Sequence, residues 1–314
     1  MIKRSFFGSP TPRIQYLPIP GNVTAPAALK QPESVTLLVP CPTADVDDRL
    51  AKKGDLVKTG QKISLSSAPG AYGIASLSGT LSSIDRFPGE AGREYTALTI
   101  TASGAETLDD AFESQCEPTL EIATNFLACL PGAPSFEAFT NTEKPIHTII
   151  VSGMDEDLLV MSAQYTLSFR LQDIQAGIKI LKTITGVENI VLATSQDALH
   201  GYGDIGASVA AMDASYPSGL PRLIVQKIMG QEITTDQTFQ DLGVCFFTAE
   251  AVASIGQAFA EKQLPLEKTI TLIDKQGNRS LVSARIGTAI ADILRDHRIN
   301  LEEKDRIVVG GPMA

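Results

Sequence analysis

An acidic turn at residues 154–157, Met-Asp-Glu-Asp, is the part of this sequence best suited to ligand chemistry. It follows the apolar, β-branched run Ile146–Val151 and a Ser-Gly pair that signals a turn. A carboxylate just beyond a strand accepts two hydrogen bonds, which suits the recognition of hydroxyl groups. Gly153, Asp155 and Asp157 are therefore candidate ligand-binding residues. The favoured alternative is a turn surrounded by solvent, as is usual for acidic side chains.

The elements that must position this turn are predicted to form a βαβ unit. After the first strand, Gln164–Thr185 carries apolar residues at helical spacing, and Gly186 is a plausible helix C-cap. Asn189–Ala193 then returns as a second buried strand. Strand, helix and strand imply a parallel sheet with a right-handed crossover, in which ligands bind beyond the carboxyl ends of the strands.

Charge and residue spacing exclude several classes of function. A formal net charge of −10 argues against a nucleic-acid partner, and no apolar run reaches the roughly 18 residues of a transmembrane helix. The first residues lack the apolar core of a signal peptide, so a cytoplasmic protein without direct membrane insertion is expected. Four cysteines and three histidines lie far apart, which predicts buried reduced thiols and no metal site. No nucleophile–base pair supports hydrolysis.

Two further turns resemble ligand-binding motifs. Gly201–Gly206 has the form GxGxxG, but it begins several residues after the strand ends, which favours a flexible connection over a phosphate site. The Tyr-Pro-Ser-Gly turn at 216–219 has the residue preferences of a structural turn.

The chain outside the βαβ unit suggests three further regions. Residues 1–32 are a proline-rich arm, expected to lie on a later domain or on a partner. Short strands with glycine turns, beginning at Ser34–Pro40, indicate a small β module over residues 33–105 that resembles a barrel-sandwich hybrid of the biotinyl/lipoyl-carrier type. No lysine lies between Ser64 and Ser78, so the carrier function is not expected.

The C-terminal third continues the α/β pattern and then changes. Leu242–Phe247 is a predicted strand, and Thr248 is a plausible N-cap for a helix over Ala249–Lys262. A hairpin of Thr269–Ile273 with Leu281–Ile286, a helix capped by Thr288 and a last strand over Arg306–Val309 follow. These elements predict a β-grasp module over residues 266–314, which leaves residues 106–265 for a Rossmann-like α/β domain.

The order of these elements resembles the RnfC subunit of ion-translocating ferredoxin:NAD oxidoreductase and the NqrA subunit of the sodium-pumping NADH:quinone reductase. Both are similar to the flavin-binding subunit of respiratory complex I. The phrases that carry the resemblance are Gly54–Ile63 with Ser78–Ile84, the turn 216–219, and Arg285–Thr288 followed by the Gly-Gly-Pro-Met turn at 310–313. The resemblance implies a multi-domain α+β chain whose last module is a soluble-ligand-binding (SLBB-like) β-grasp, together with partners among the subunits of a membrane electron-transfer complex at the inner face of the cell membrane.

The resemblance also implies possible FMN and NADH sites, with departures from the family pattern. The family's glycine-rich FMN loop corresponds to residues 130–136, Leu-Pro-Gly-Ala-Pro-Ser-Phe, where two prolines lack the N–H that an anion requires. Gly132 and Phe136 would line the flavin, Asp155 or Asp157 would contact ribityl or nicotinamide-ribose hydroxyls, and the candidate site also includes two residues of the 216–219 turn, Tyr216 and Gly219. Iron–sulfur clusters are expected only if the chain continues into a further tail.

Three functions stay open at this point. The first is a peripheral subunit of an NADH- or ferredoxin-linked complex, with an eroded flavin site and a structural role. The second is a working FMN-dependent NADH dehydrogenase subunit. The third, a corrinoid or other soluble-ligand module at residues 267–314, rests on fold analogy alone.

Overall fold

The chain folds as a mixed α/β protein with several β-sheets. The computed structural model describes residues 14–21, 25–68, 70–89, 92–195 and 203–311. In chain order, the strands within these ranges are β1 (Ile14–Gln15), β2 (Ala27–Ala28), β3 (Ser34–Val39), β4 (Leu56–Val57), β5 (Lys62–Ser64), β6 (Tyr72–Ile74), β7 (Gly79–Pro88), β8 (Glu94–Ala102), β9 (Thr148–Ser152), β10 (Ile190–Ser195), β11 (Ser208–Met212), β12 (Ser215–Tyr216), β13 (Val244–Thr248), β14 (Glu267–Ile273) and β15 (Arg279–Arg285). The α-helices in the same ranges are α1 (Ala111–Ser114), α2 (Leu120–Ile122), α3 (Ser162–Phe169), α4 (Leu171–Thr185), α5 (Pro221–Met229), α6 (Ala249–Glu261) and α7 (Ile290–Asp296).

A parallel sheet of β9, β10, β11 and β13 forms the centre of the molecule. The strand order is β11-β10-β9-β13, and Val151 of β9 pairs with Leu192 of β10 and with Phe247 of β13. Every residue of β9 is buried, as expected for a parallel strand whose two faces are both covered. The chain passes from β9 through α3 and α4 to β10, so the predicted βαβ unit is confirmed.

The single helix predicted over Gln164–Thr185 is wrong, because two helices, α3 and α4, meet at Arg170. The backbone of Arg170 has φ −121° and ψ 29°, outside the helical range. Its guanidinium donates to Asp173 at 2.9 Å and to Gln257 of α6 at 2.7 Å. A contact with a helix that lies 87 residues further along the chain cannot be read from periodicity. At the other end of α4, Gly186 has φ 70°, which confirms the predicted C-cap.

Helices α4 and α6 cross closely because each has a glycine at the contact. A Cβ atom on Gly177 of α4 would lie 2.0 Å from the carbonyl oxygen of Val252. A Cβ atom on Gly256 of α6 would lie 2.0 Å from the carbonyl oxygen of Asp173. The two glycines thus fix the distance between the helices that cover one face of the parallel sheet.

A small β module packs around its own apolar core. Its antiparallel sheet has the order β3-β8-β7-β4, and β5 pairs with β6. The predicted strand over Ser34–Pro40 is confirmed as β3. The residues at the centre of this core are fully buried aliphatic side chains: Leu65, Leu77, Leu81, Leu98 and Ile100.

The C-terminal strands β14 and β15 form an antiparallel hairpin, in which Ile270 pairs with Val282, and the predicted hairpin is confirmed. Strand β2, from the N-terminal region, adds to β15 in parallel. The predicted last strand over Arg306–Val309 is wrong, because this run forms no strand and Val309 is 74% exposed. Both edges of β15 are occupied, by β14 and by β2, so no place for the run remains beside that strand.

The Arg-Ile-Gly-Thr phrase after β15 joins the hairpin to the β module. Arg285 donates to the carbonyl of Ser76 at 2.6 Å and to Oε1 of Glu106 at 2.6 Å. The backbone N–H of Thr36 donates to the carbonyl of Gly287 at 2.9 Å. One phrase that carries the family resemblance is therefore a joint between two parts of the fold.

The helix cap predicted at Thr288 is wrong. The Thr288 hydroxyl donates to the carbonyl of Arg285 at 2.7 Å, so it is engaged with the joint instead of with the helix. Helix α7 begins at Ile290, and Ala289 occupies the N-cap position without a side-chain acceptor. The turn chemistry of the joint has taken precedence over capping.

Candidate functional site at the carboxyl end of the parallel sheet

The acidic turn lies directly after β9, at the carboxyl end of the parallel sheet, but it is not surrounded by solvent. Asp155 is 5% exposed and Asp157 is 4% exposed, whereas Glu156 between them is exposed. The favoured interpretation of a solvated turn is therefore wrong for the two aspartates. Burial of a carboxylate requires partners, and the surrounding chain supplies them.

Asp155 accepts hydrogen bonds at both carboxyl oxygens. The backbone N–H of Ala163, in the first turn of α3, donates to Oδ1 at 2.8 Å, and Nε2 of Gln164 donates to Oδ2 at 3.0 Å. Negative charge at a helix N-terminus is favourable, so the turn supplies α3 with its own anion. Burial nevertheless outweighs these bonds and the nearby positive charge of Arg279, and it raises the pKa of Asp155 to about 6.

Asp157 is covered by the C-terminal end of the described chain. Its Oδ1 accepts the backbone N–H of Leu158 at 2.6 Å. A Cβ atom on Gly311, whose φ is 117°, would lie 2.5 Å from Cγ of Asp157, so only glycine fits at that crossing. This glycine belongs to the Gly-Gly-Pro-Met turn of the family resemblance, whose last two residues lie outside the described ranges.

Gly153 allows α3 to approach the end of β9. A Cβ atom on Gly153 would lie 2.4 Å from Cδ1 of Leu167, and its N–H donates to the carbonyl of Ala193 at 2.8 Å. The packing of helix on strand, by itself, accounts for a glycine at this position.

An N-terminal segment covers the turn, and we call residues 14–19 the strap. Its strand β1 pairs with β12 in antiparallel fashion, so that Ile14 lies opposite Tyr216. The ring centroids of Tyr16 and Tyr216 lie 6.5 Å apart in an edge-to-face arrangement. The Tyr16 hydroxyl accepts the backbone N–H of Gly219 at 3.0 Å, and a Cβ atom on Gly219 would lie 2.2 Å from the carbonyl oxygen of Asp155.

Two side chains hold the backbone of the strap. Gln164 accepts the N–H of Ile19 through Oε1 at 2.9 Å and donates through Nε2 to the carbonyl of Leu17 at 3.1 Å. Arg279 donates to the carbonyl oxygens of Leu17 and Pro18, at 3.4 and 2.8 Å. Sequence reasoning missed Tyr16, Gln164 and Arg279, and a tyrosine within a proline-rich arm was the only available signal.

The structure places Gly132 and Phe136 in a different environment from the acidic turn. Gly132, with φ 83°, packs on the start of α6, where a Cβ atom would lie 2.3 Å from the backbone nitrogen of Ala251 and 2.8 Å from Oγ1 of Thr248. Thr248 is the N-cap of α6, as predicted, and accepts the N–H of Ala251 at 3.1 Å. Phe136 is 2% exposed, with its ring centroid 5.7 Å from that of Phe247. Both residues thus serve the core around β13 and α6.

The remaining candidate groups are dispersed. Of the four free cysteines, Cys41 and Cys245 are buried and Cys116 and Cys129 are half-buried. Across residues 14–21, 25–68, 70–89, 92–195 and 203–311, no three His, Cys, Asp or Glu residues come together as a metal site would require. Over the same residues, no helix has the length and apolar character needed to cross a bilayer. The first two residues of the GxGxxG run lie outside the described ranges.

Taken together, fold and site define a mixed α/β protein whose parallel sheet ends in a buried acidic turn covered by both ends of the described chain. Of the seven candidate site residues, the structure brings Gly153, Asp155, Asp157, Tyr216 and Gly219 to this edge of the sheet.

Comparison with known proteins confirms the family resemblance through curated relatives, which are RnfC-type subunits of the ion-translocating oxidoreductase complex. The chain is 24% identical over 287 residues to the relative from Haemophilus influenzae Rd, covering 84% of this chain and 35% of that protein. For the relative from Pseudomonas aeruginosa PAO1, the identity is 24% over 281 residues, covering 83% and 36%. The chain therefore spans about a third of the length of these two relatives. No family model matches the chain.

Among solved structures, an NAD+-reducing [NiFe]-hydrogenase in the H2-reduced state is similar, with a TM-score of 0.39 and 10% sequence identity. The match covers 51% of this chain and 34% of that one. A likeness of this extent is too distant to support an inference about function.

Proposed function

We propose that this chain is a peripheral, cytoplasmic subunit of an ion-translocating, NADH- or ferredoxin-linked electron-transfer complex at the inner face of the cell membrane. Its partners would be the other subunits of that complex. The names of the curated relatives support this assignment, since they describe subunits of such a complex. We further propose that the RnfC-like fold serves docking here, while its flavin site is closed and supplies no catalysis.

The proposed division of the chain has four parts: the arm 1–32, a barrel-sandwich hybrid over 33–105, a Rossmann-like domain over 106–265, and an SLBB-like β-grasp over 266–314. Separate apolar clusters support the three folded parts. One lies inside the β module, others lie on the parallel sheet, and a small one lies behind the β14–β15 hairpin. The joint at Arg285 would then connect the β-grasp to the barrel-sandwich hybrid.

The observation that carries the proposal is that groups of this chain already fill the positions that a flavin or nucleotide would need. Gly132 is packed against the first turn of α6, and the N–H of Ala133 already donates to the carbonyl of Leu130 at 2.8 Å. Pro131 and Pro134 have no N–H to offer an anion. The residues of this loop, as packed, do not fit an FMN phosphate. At the acidic turn, the carboxylate of Asp155 holds the N–H of α3 that a phosphate would seek.

The test is the visible absorbance spectrum of the purified protein, alone, with added FMN, and then with NADH. A colourless protein that takes up neither ligand agrees with a closed site and a docking role. A flavin band that NADH bleaches would overturn the proposal and establish the working dehydrogenase subunit. In that outcome, the ligand-contacting residues would be those proposed from the sequence: Gly132, Phe136, Gly153, Asp155, Asp157, Tyr216 and Gly219.

Membrane association provides a separate test of the docking role. The protein should sediment with membranes of cells that contain the partner subunits and be released by high salt, because screened charge contacts hold a peripheral subunit. Recovery of all the protein in the supernatant at low salt would contradict a peripheral subunit, whatever the flavin spectrum shows.

A further inference from the structure

We propose that the strap, residues 14–19, is a latched cover over the acidic turn that opens as one unit while the parallel sheet stays folded. Gln164 and Arg279 are the latch, and the hydroxyl of Tyr16 is the part of the strap that reaches the site. The strap would act in this way whether or not a flavin binds.

The strap is attached mainly through polar contacts that are spread over three elements. Its regular secondary structure is limited to the two residues of β1, paired with β12. Gln164 belongs to α3 and Arg279 to β15, and both bind backbone atoms of the strap instead of its side chains. Ile14 and Leu17 are each nearly half exposed, so the strap buries little apolar surface of its own. Segments with few buried apolar contacts open locally at a much lower free energy than the core.

The latch couples the strap to the buried carboxylate. The amide of Gln164 uses both ends at once, because Oε1 accepts from Ile19 while Nε2 donates to Leu17 and to Asp155. Rotation of this one side chain would release the strap at two places and would remove a hydrogen bond from Asp155.

The strap and a ligand of the acidic turn exclude each other. The Gly219 N–H, the donor beside Asp155, is already satisfied by the Tyr16 hydroxyl. The backbone of Gly219 also lies against the Asp155 carbonyl without room for a side chain. Any molecule that bonds this N–H must first displace Tyr16. The strap is therefore an autoinhibitory contact.

Hydrogen exchange at three backbone amides tests the proposal in the full chain. The amide of Ile19 reports the latch, that of Gly219 reports the Tyr16 hydroxyl, and that of Gly153, bonded to the Ala193 carbonyl, reports the sheet. We expect Ile19 and Gly219 to exchange together, about 100-fold or more faster than Gly153 after correction for intrinsic rates. Exchange of all three at one common rate would overturn the proposal, because the strap would then open only with the fold.

Substitution of the latch tests whether the strap acts as a unit. Gln164→Ala should raise the exchange of Gly219 about ten-fold and leave Gly153 unchanged, although Gln164 makes no bond to the Gly219 amide among those described. The matched control is Gln175→Ala, because Gln175 bonds the carbonyl of Asp204, away from the strap. Arg279→Ala, at an exposed contact, gives the same expectation if the first variant folds poorly. Unchanged exchange at Gly219 in both latch variants would show that the contacts are independent, and the proposal would fail.

Discussion

The hydroxyl of Tyr16 accepts a hydrogen bond from the backbone N–H of Gly219 at 3.0 Å, although 203 residues separate them in the chain. This bond places an N-terminal residue beside the carbonyl of Asp155, at the carboxyl end of the central sheet. In a parallel sheet this edge is where ligands bind, so a residue of the arm occupies the position of greatest functional interest.

Removal of the Tyr16 hydroxyl should destabilise the protein. Tyr16→Phe retains the ring contact with Tyr216 but leaves the Gly219 N–H without its acceptor. We expect the free energy of unfolding, measured in urea, to fall by about 1 kcal/mol. Tyr165→Phe is the control, because within the described residues Tyr165 makes a ring contact with Phe169 and no hydroxyl hydrogen bond. Equal effects of the two substitutions would contradict a specific role for the Tyr16 hydroxyl.

The sequence was sufficient for the central unit because its signals are local. Apolar residues at helical spacing, a β-branched run and Gly186 predicted the βαβ unit and the helix C-cap, and Thr248 predicted the start of α6. Each of these signals depends on neighbours within a few positions along the chain.

The cover of the site could not be predicted, because it is made by distant parts of the chain. The strap reaches Gly219 from position 16, and Gly311 reaches Asp157 from the other end. Burial of Asp155 follows from these contacts, whereas its type and its position in a turn predicted exposure. The break at Arg170 has the same origin, since it depends on Gln257.

Burial of Asp155 should make stability depend on pH. Its pKa is raised from 3.8 in an ordinary environment to about 6, so the folded state holds the proton more tightly than the unfolded state does. The contribution of this group is fully present below about pH 4 and is lost as the pH rises through about 6. The loss amounts to about 3 kcal/mol, from a shift of about two units at roughly 1.4 kcal/mol each.

The difference between the wild type and Asp155→Asn isolates this group from the other titrating residues. We expect the free energies of unfolding of the two proteins to diverge between about pH 4 and about pH 6, with the wild type losing stability relative to the variant. Parallel curves over this range would contradict a raised pKa at Asp155.

The ion pair at the joint should contribute modestly to stability. Arg285 binds both carboxylate oxygens of Glu106, and this hydrogen bonding lowers the pKa of Glu106. Because the Glu106 side chain is 36% exposed, solvent screening limits the pair, and a double-mutant cycle of Arg285→Ala with Glu106→Gln should give a coupling of about 1 kcal/mol. Zero coupling would mean that the backbone contacts of Thr36 and Ser76 hold the joint on their own.

The crossing of α4 and α6 should be the least tolerant of these positions. A Cβ atom on Gly256 would lie 2.0 Å from the Asp173 carbonyl and 2.7 Å from the nitrogen of Gly177, both backbone atoms that cannot move aside without shifting a helix. We expect Gly256→Ala to lower the free energy of unfolding by about 3 kcal/mol, even though alanine is the better helix former. Gly21→Ala is the matched control, because no other atom lies within 4 Å of a Cβ there and its φ is not positive. If Gly256→Ala were as stable as this control, the two helices could separate freely, and their spacing would not be what positions α3 over the acidic turn.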